Sequence, residues 1–161
     1  YLSIDQQYPY AMDSYIDIVQ SGYKAGTDFI TNVSVMKYKD LNWANTLISY
    51  RWNNFGKDEI GTAADGSTAK GPDLGTKWVE VVKFDNVGRI YAIDWSTGEA
   101  KNVYFAQMYV DSFTNIAVAM HPSEGTADLY ADGYMVATIT LNPALFPKSF
   151  TVGDKEYIYD D

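Results

Sequence analysis

The stretch "NWANTLISYRWNNFG", residues 42 to 56, gathers rings, an arginine and side-chain amides into a short length of chain. Sugar recognition asks for that combination: an aromatic ring stacks on a pyranose face while planar polar groups around it hold the hydroxyls. Trp43, Tyr50, Arg51, Trp52, Asn53 and Asn54 supply both parts, and "IDWSTGEAKN" adds Trp95 beside another turn. These seven residues are the candidate carbohydrate-binding set. Trp52 and Trp95 border turns, where a ring can face solvent, whereas Trp78 alternates with Glu80 inside an apolar strand and reads as core.

Catalytic chemistry finds less support in the chain. Glycoside hydrolysis needs two carboxylates at a fixed separation across the scissile bond. The nearest pairs are Asp154 with Glu156, on a solvated hairpin, and Asp128 with Asp132, the second of which belongs to a turn. His121 is the one histidine, sits before Pro122 at a strand end, and reads as a surface turn residue rather than a general base. No Gly-x-Ser-x-Gly elbow occurs, and the absence of cysteine removes thiol chemistry and Cys-type zinc sites. The expectation is therefore a protein without enzymatic activity. For a hard cation, the acids Asp58, Glu59, Asp65 and Asp73 are the candidate ligands of a calcium ion, together with backbone carbonyls. Their spacing matches no defined calcium loop, and plain solubilising charge is the alternative.

The elements that must position these residues are strands. The 161 residues fit one domain, and 14 Tyr, 7 Phe and 4 Trp favour sheets and binding surfaces over a helical bundle. A formal net charge of -9 repels phosphate backbones, so nucleic acid is not an expected partner. No apolar run reaches the length needed to cross a bilayer, and no membrane insertion is expected. The chain starts at Tyr1 and reads as a mature product or an excised domain.

Alternation of apolar and polar residues marks "YLSIDQQ", "SYIDIV", "TDFITNVSVMKYK" and "TLISYRWNNFG" as successive strands. Lys57 to Lys77 changes to Gly, Ala, Ser, Thr, Asp and Pro and reads as one long loop. Beyond it come "KWVEVVKFD", "RIYAIDW", "NVYFAQMYV" and "FTNIAVAMHP", then "ADLYADGYMVATITL", broken at Asp132-Gly133, and "KSFTVGDKEYIY", broken at Gly153-Asp154. Asp-Gly supplies the two positive-φ positions of a type I′ hairpin turn. About ten strands without a helical period make an all-β protein. Burial on both faces of "NIAVAM" favours two antiparallel sheets packed as a β-sandwich.

The run "DSFTNIAVAMHPSEGTADLYADGYMVATITLN" resembles the central signature of the laminin G-like, concanavalin A-like sandwich superfamily. Phe113, Thr114 and Asn115 stand at its Trp-His-His positions, Ile116 to Met120 form its Ala-Val strand, and Leu129 to Gly133 its Leu-Tyr-Val-Asp-Gly run. The resemblance implies a single jelly-roll domain over residues 1–161, one module of a larger extracellular protein. It also makes calcium a candidate cofactor. On that footing the expected function is a non-catalytic carbohydrate-binding or adhesion module of a secreted or cell-surface bacterial protein, with a glycan or polysaccharide as partner. The alternatives are a structural or protein-binding ectodomain of laminin G-like type, docking an extracellular protein, and after it a glycoside hydrolase or polysaccharide lyase.

Overall fold

A computed structural model describes residues 27–37, 45–52, 56–145 and 147–160. The two strands expected before Gly26 lie outside these residues, as do Trp43, Asn53 and Asn54. In chain order the strands are β1 (Phe29–Val35), β2 (Asn45–Trp52), β3 (Ile60–Thr62), β4 (Thr68–Lys70), β5 (Lys77–Phe84) and β6 (Arg89–Asp94). They continue with β7 (Lys101–Gln107), β8 (Thr114–His121), β9 (Thr126–Ala131), β10 (Tyr134–Thr140), β11 (Ser149–Val152) and β12 (Lys155–Tyr159). One 3-10 turn, Pro143–Leu145, completes an all-β fold.

These strands sort into three antiparallel sheets rather than two, ordered β1-β8-β9-β10, β2-β5-β6-β7 and β11-β12-β3-β4. The first two share one core. Ile116, Val118, Met120 and Leu129 of the first sheet and Ile48, Val79, Val82 and Ile90 of the second belong to a single buried cluster. Each such side chain contributes about 1.5–3 kcal/mol of transfer free energy. As its composition suggests, β8 is buried on both faces: Ala117 and Ala119, opposite the core side, are covered too.

The third sheet corrects the reading of 57–77 as a loop. That segment holds the hairpin β3–β4, and β12 pairs with β3 to join it to the β11–β12 hairpin. Its strands are too short to show a period, and Gly61 answers a packing need rather than a turn. A Cβ on Gly61 would stand 2.5 Å from the Phe150 ring, so the ring lies directly on the β3 backbone. Phe150 stacks on Tyr157 with centroids 5.4 Å apart, and with Ala63 these two form a small separate core.

The Asp132-Gly133 turn takes its expected form. At the tip of the β9–β10 hairpin Asp132 and Gly133 have φ of 49° and 84°, the two positive values of a type I′ turn. Asp132 does more than shape the backbone. Its carboxylate accepts the Asn115 N–H at 3.0 Å while its own N–H donates to the Asn115 carbonyl at 2.9 Å, which ties the hairpin tip to β8.

Candidate aromatic binding face

The chain brings Trp52, Trp78 and Trp95 to one end of the second sheet. Arg51 pairs with Trp78 and Trp52 with Lys77 at the start of β5, and β6, antiparallel to β5, ends at Asp94 beside Trp95. Across β2, β5 and β6 this end is about 10 Å wide.

Trp78 is not core. It remains 57% exposed, because Trp78 and Glu80 are two residues apart and share the outer face, while Val79 between them enters the core. A bulge at Val81 then lets Val81 and Val82 both bury, and Lys83 returns to the outside. The Arg51 guanidinium lies over the indole, 5.0 Å from its centroid, and holds the ring in place by a cation–π contact worth about 0.5–1 kcal/mol at an exposed site. Further along the same face Tyr91 and Tyr104 pair across β6 and β7, with centroids 5.8 Å apart. Tyr91 also stands beside Lys83 in the β5–β6 register, and Tyr104 is 56% exposed. The two aromatic stations are separated by five residues of β5, about 15 Å. Between them Glu80 accepts a hydrogen bond from the Thr46 hydroxyl and lies 3.9 Å from Lys83.

Trp95 is half-buried and well anchored. Its N–H donates to the Thr140 carbonyl at 2.9 Å. The preceding Asp94 accepts the Thr140 N–H at 2.8 Å, the Ser96 N–H at 3.2 Å and the Ser96 hydroxyl at 2.6 Å. Burial acts to raise the Asp94 pKa, but these hydrogen bonds outweigh it and hold the carboxyl below the usual range. The link fastens the end of the second sheet to β10 of the first.

Tyr50 faces the other way from Arg51. Its hydroxyl donates to Thr31 at 2.8 Å, its ring meets Phe29 edge-on, and burial pushes its pKa up to about 12. Half-buried against the core and engaged in this way, it is a packing residue between the two sheets.

Among the calcium candidates, Asp65 accepts from Lys155 Nζ at 2.6 Å and from the Ser67 hydroxyl and N–H, which together hold it far below the usual carboxylate range. Asp73 accepts the Gly75 N–H at 2.8 Å. Asp58 is exposed and Glu59 half-exposed, with the Glu59 N–H donating to the Gly56 carbonyl. Among the described residues no group of three or more His, Asp or Glu side chains is placed to hold a metal ion.

His121 occupies the last position of β8 rather than a turn, and carboxylate oxygens stand against both its nitrogens: Asp28 at 2.8 Å from Nδ1 and Asp128 at 3.1 Å from Nε2. A general base needs a lone pair within reach of its substrate, and here each ring nitrogen already faces an acid.

Residue type and spacing do not mark the second-sheet platform of Trp78, Tyr91 and Tyr104. The one signal available was the shared parity of Trp78 and Glu80; the register that places Tyr91 and Tyr104 together becomes visible only in the folded sheet. Comparison with known protein families, with curated proteins and with solved structures finds no match.

Proposed function

We propose that this protein is a non-catalytic carbohydrate-binding or adhesion module of a secreted or cell-surface protein. In this reading the first two sheets are the faces of a concanavalin A-like jelly roll, with the third sheet appended. The ligand is a glycan or polysaccharide lying on the outer face of the second sheet. The observation that carries the reading is Trp78: a large ring left more than half exposed on a sheet face and fixed by Arg51. An exposed ring that is already immobile loses little conformational freedom when a sugar stacks on it, and preorganisation of that kind favours binding. Trp95 at the same end and the Tyr91–Tyr104 pair further along extend the surface to the length of an oligosaccharide.

The test is affinity electrophoresis or microarray binding against a broad polysaccharide panel, with calcium and with chelator, on wild type, Trp78→Ala and Trp52→Ala. Retardation lost in Trp78→Ala at unchanged melting temperature supports the reading. Binding by wild type that Trp78→Ala leaves intact moves the site elsewhere, and silence across the panel overturns the sugar reading.

A second reading, a protein-docking ectodomain, is favoured by one feature. Among the described residues β10 is an edge of the first sheet, with Tyr134, Met135 and Val136 exposed in succession, Tyr134 at 77%. Sheet edges are where a partner's strand can add.

A further inference from the structure

We infer that His121 is a proton-operated latch that fastens the start of β1 to β8 and β9 and releases it when the imidazolium loses its proton. Asp28 immediately precedes β1, His121 closes β8 and Asp128 lies in β9, so one ring joins three neighbouring segments of the first sheet. Protonated, the ring donates Nδ1–H to Asp28 at 2.8 Å and Nε2–H to Asp128 at 3.1 Å. β10 reinforces one side, where the Thr138 hydroxyl donates to the other Asp128 oxygen at 2.7 Å.

A neutral imidazole carries a single N–H, so it satisfies only one of these carboxylates; the other then faces a nitrogen lone pair. Geometry decides which contact survives. Asp128 is held by Thr138 and its side chain is 25% exposed, while Asp28 is 60% exposed at the mouth of the strand. The tautomer that keeps Nε2–H on Asp128 leaves Asp28 to turn into water. Among the described residues, the four strands of this sheet, FITNVSV, TNIAVAMH, TADLYA and YMVATIT, contain no Lys or Arg to take the place of the ring. In the turn after β8, Glu124 donates its backbone N–H to the His121 carbonyl. The two hydrogen-bonded acids, Asp28 foremost, raise the His121 pKa above its usual 6.5 against a smaller effect of burial.

With a single histidine in the chain, one imidazole resonance reports the latch. The experiment follows the His121 ring and the amide exchange of Phe29 to Thr31, corrected for intrinsic rates, across pH 5–9 in wild type, Asp28→Asn and His121→Gln. The expected result is a His121 midpoint above 6.5 that falls in Asp28→Asn, with β1 protection lost across the same midpoint in wild type and independent of pH in His121→Gln. A midpoint at or below 6.5, a midpoint unmoved by Asp28→Asn, or flat protection of β1 in wild type overturns the latch. Asp28→Asn changes an exposed side chain and leaves the core intact, so the reading does not depend on a variant that fails to fold.

Discussion

The outer faces of the first and second sheets are built on the same core and treat water differently. On the first sheet the polar groups bond one another: Asn115 Nδ2 donates to Asn32 at 2.7 Å and to Ser34 at 3.1 Å, His121 joins Asp28 and Asp128, and Thr138 supports Asp128. Between these clusters lie the covered Ala117 and Ala119. On the second sheet the outer face carries Trp78, Tyr91 and Tyr104, whose rings have aromatic or cationic neighbours and still meet solvent. A face whose hydrogen bonds are satisfied internally has little to offer a polar ligand. A face of fixed rings gains by being covered.

Removing the ring is the strongest way to break that contrast. Trp78→Ala is expected to weaken polysaccharide binding by about 2 kcal/mol or more, roughly 30-fold, as for a central aromatic anchor. Its effect on stability is about 1 kcal/mol or less, because the side chain is more than half exposed and loses only the contact with Arg51. Isothermal titration and urea unfolding measure the two separately, and a loss of stability larger than the loss of binding would make Trp78 a packing residue.

Next in size is Asp94→Ala. It leaves the Thr140 and Ser96 donors unpaired at the seam between the sheets and costs about 1–3 kcal/mol of stability. It also loosens Trp95, so chemical denaturation and binding both register it. Asn115→Ala, by comparison, costs about 0.5–1 kcal/mol in the same denaturation experiment and leaves polysaccharide binding unchanged. An effect of Asn115→Ala on binding would mean that the first sheet also meets the ligand.

The smallest effect is that of pH on melting temperature. Folding raises the His121 pKa, so the folded chain binds a proton that the unfolded chain releases. That stability is complete below 6.5 and is lost as pH rises through the higher folded value. His121→Gln flattens this alkaline limb. Asp94 and Asp128, lowered in the folded state, act in the opposite direction: their contribution is present above the ordinary carboxylate range and is lost as pH falls through their folded values.

What could be read from the chain was local. The Asp132-Gly133 hairpin was legible because two adjacent positive-φ positions leave a composition of their own, and β8 was legible because apolar residues at every position admit few other environments. The three-residue strands β3 and β4 were not, since they show no period and Gly61 is small on account of Phe150, nearly ninety residues away. Within the candidate site, neighbouring turn residues locate Trp52 and Trp95 at strand ends and composition marks Arg51 without its partner, whereas the apolar neighbours of Trp78 point to the wrong side of its strand. Tyr50 shares a strand with Arg51, but whether such a ring turns inward depends on Thr31 and Phe29 across the sheet interface.

The pairing of β12 with β3 also sets a timetable for the third sheet. Thr62 donates to Asp160 at 2.7 Å, a bond that closes 98 positions of chain. At about 5–20 residues per second of synthesis, β3 and β4 spend about 5–20 s outside the ribosome before their partner strand exists. Contacts of such long range form late because loop closure precedes any gain from them. Until then the β3–β4 hairpin is a nascent segment that lacks its β12 neighbour.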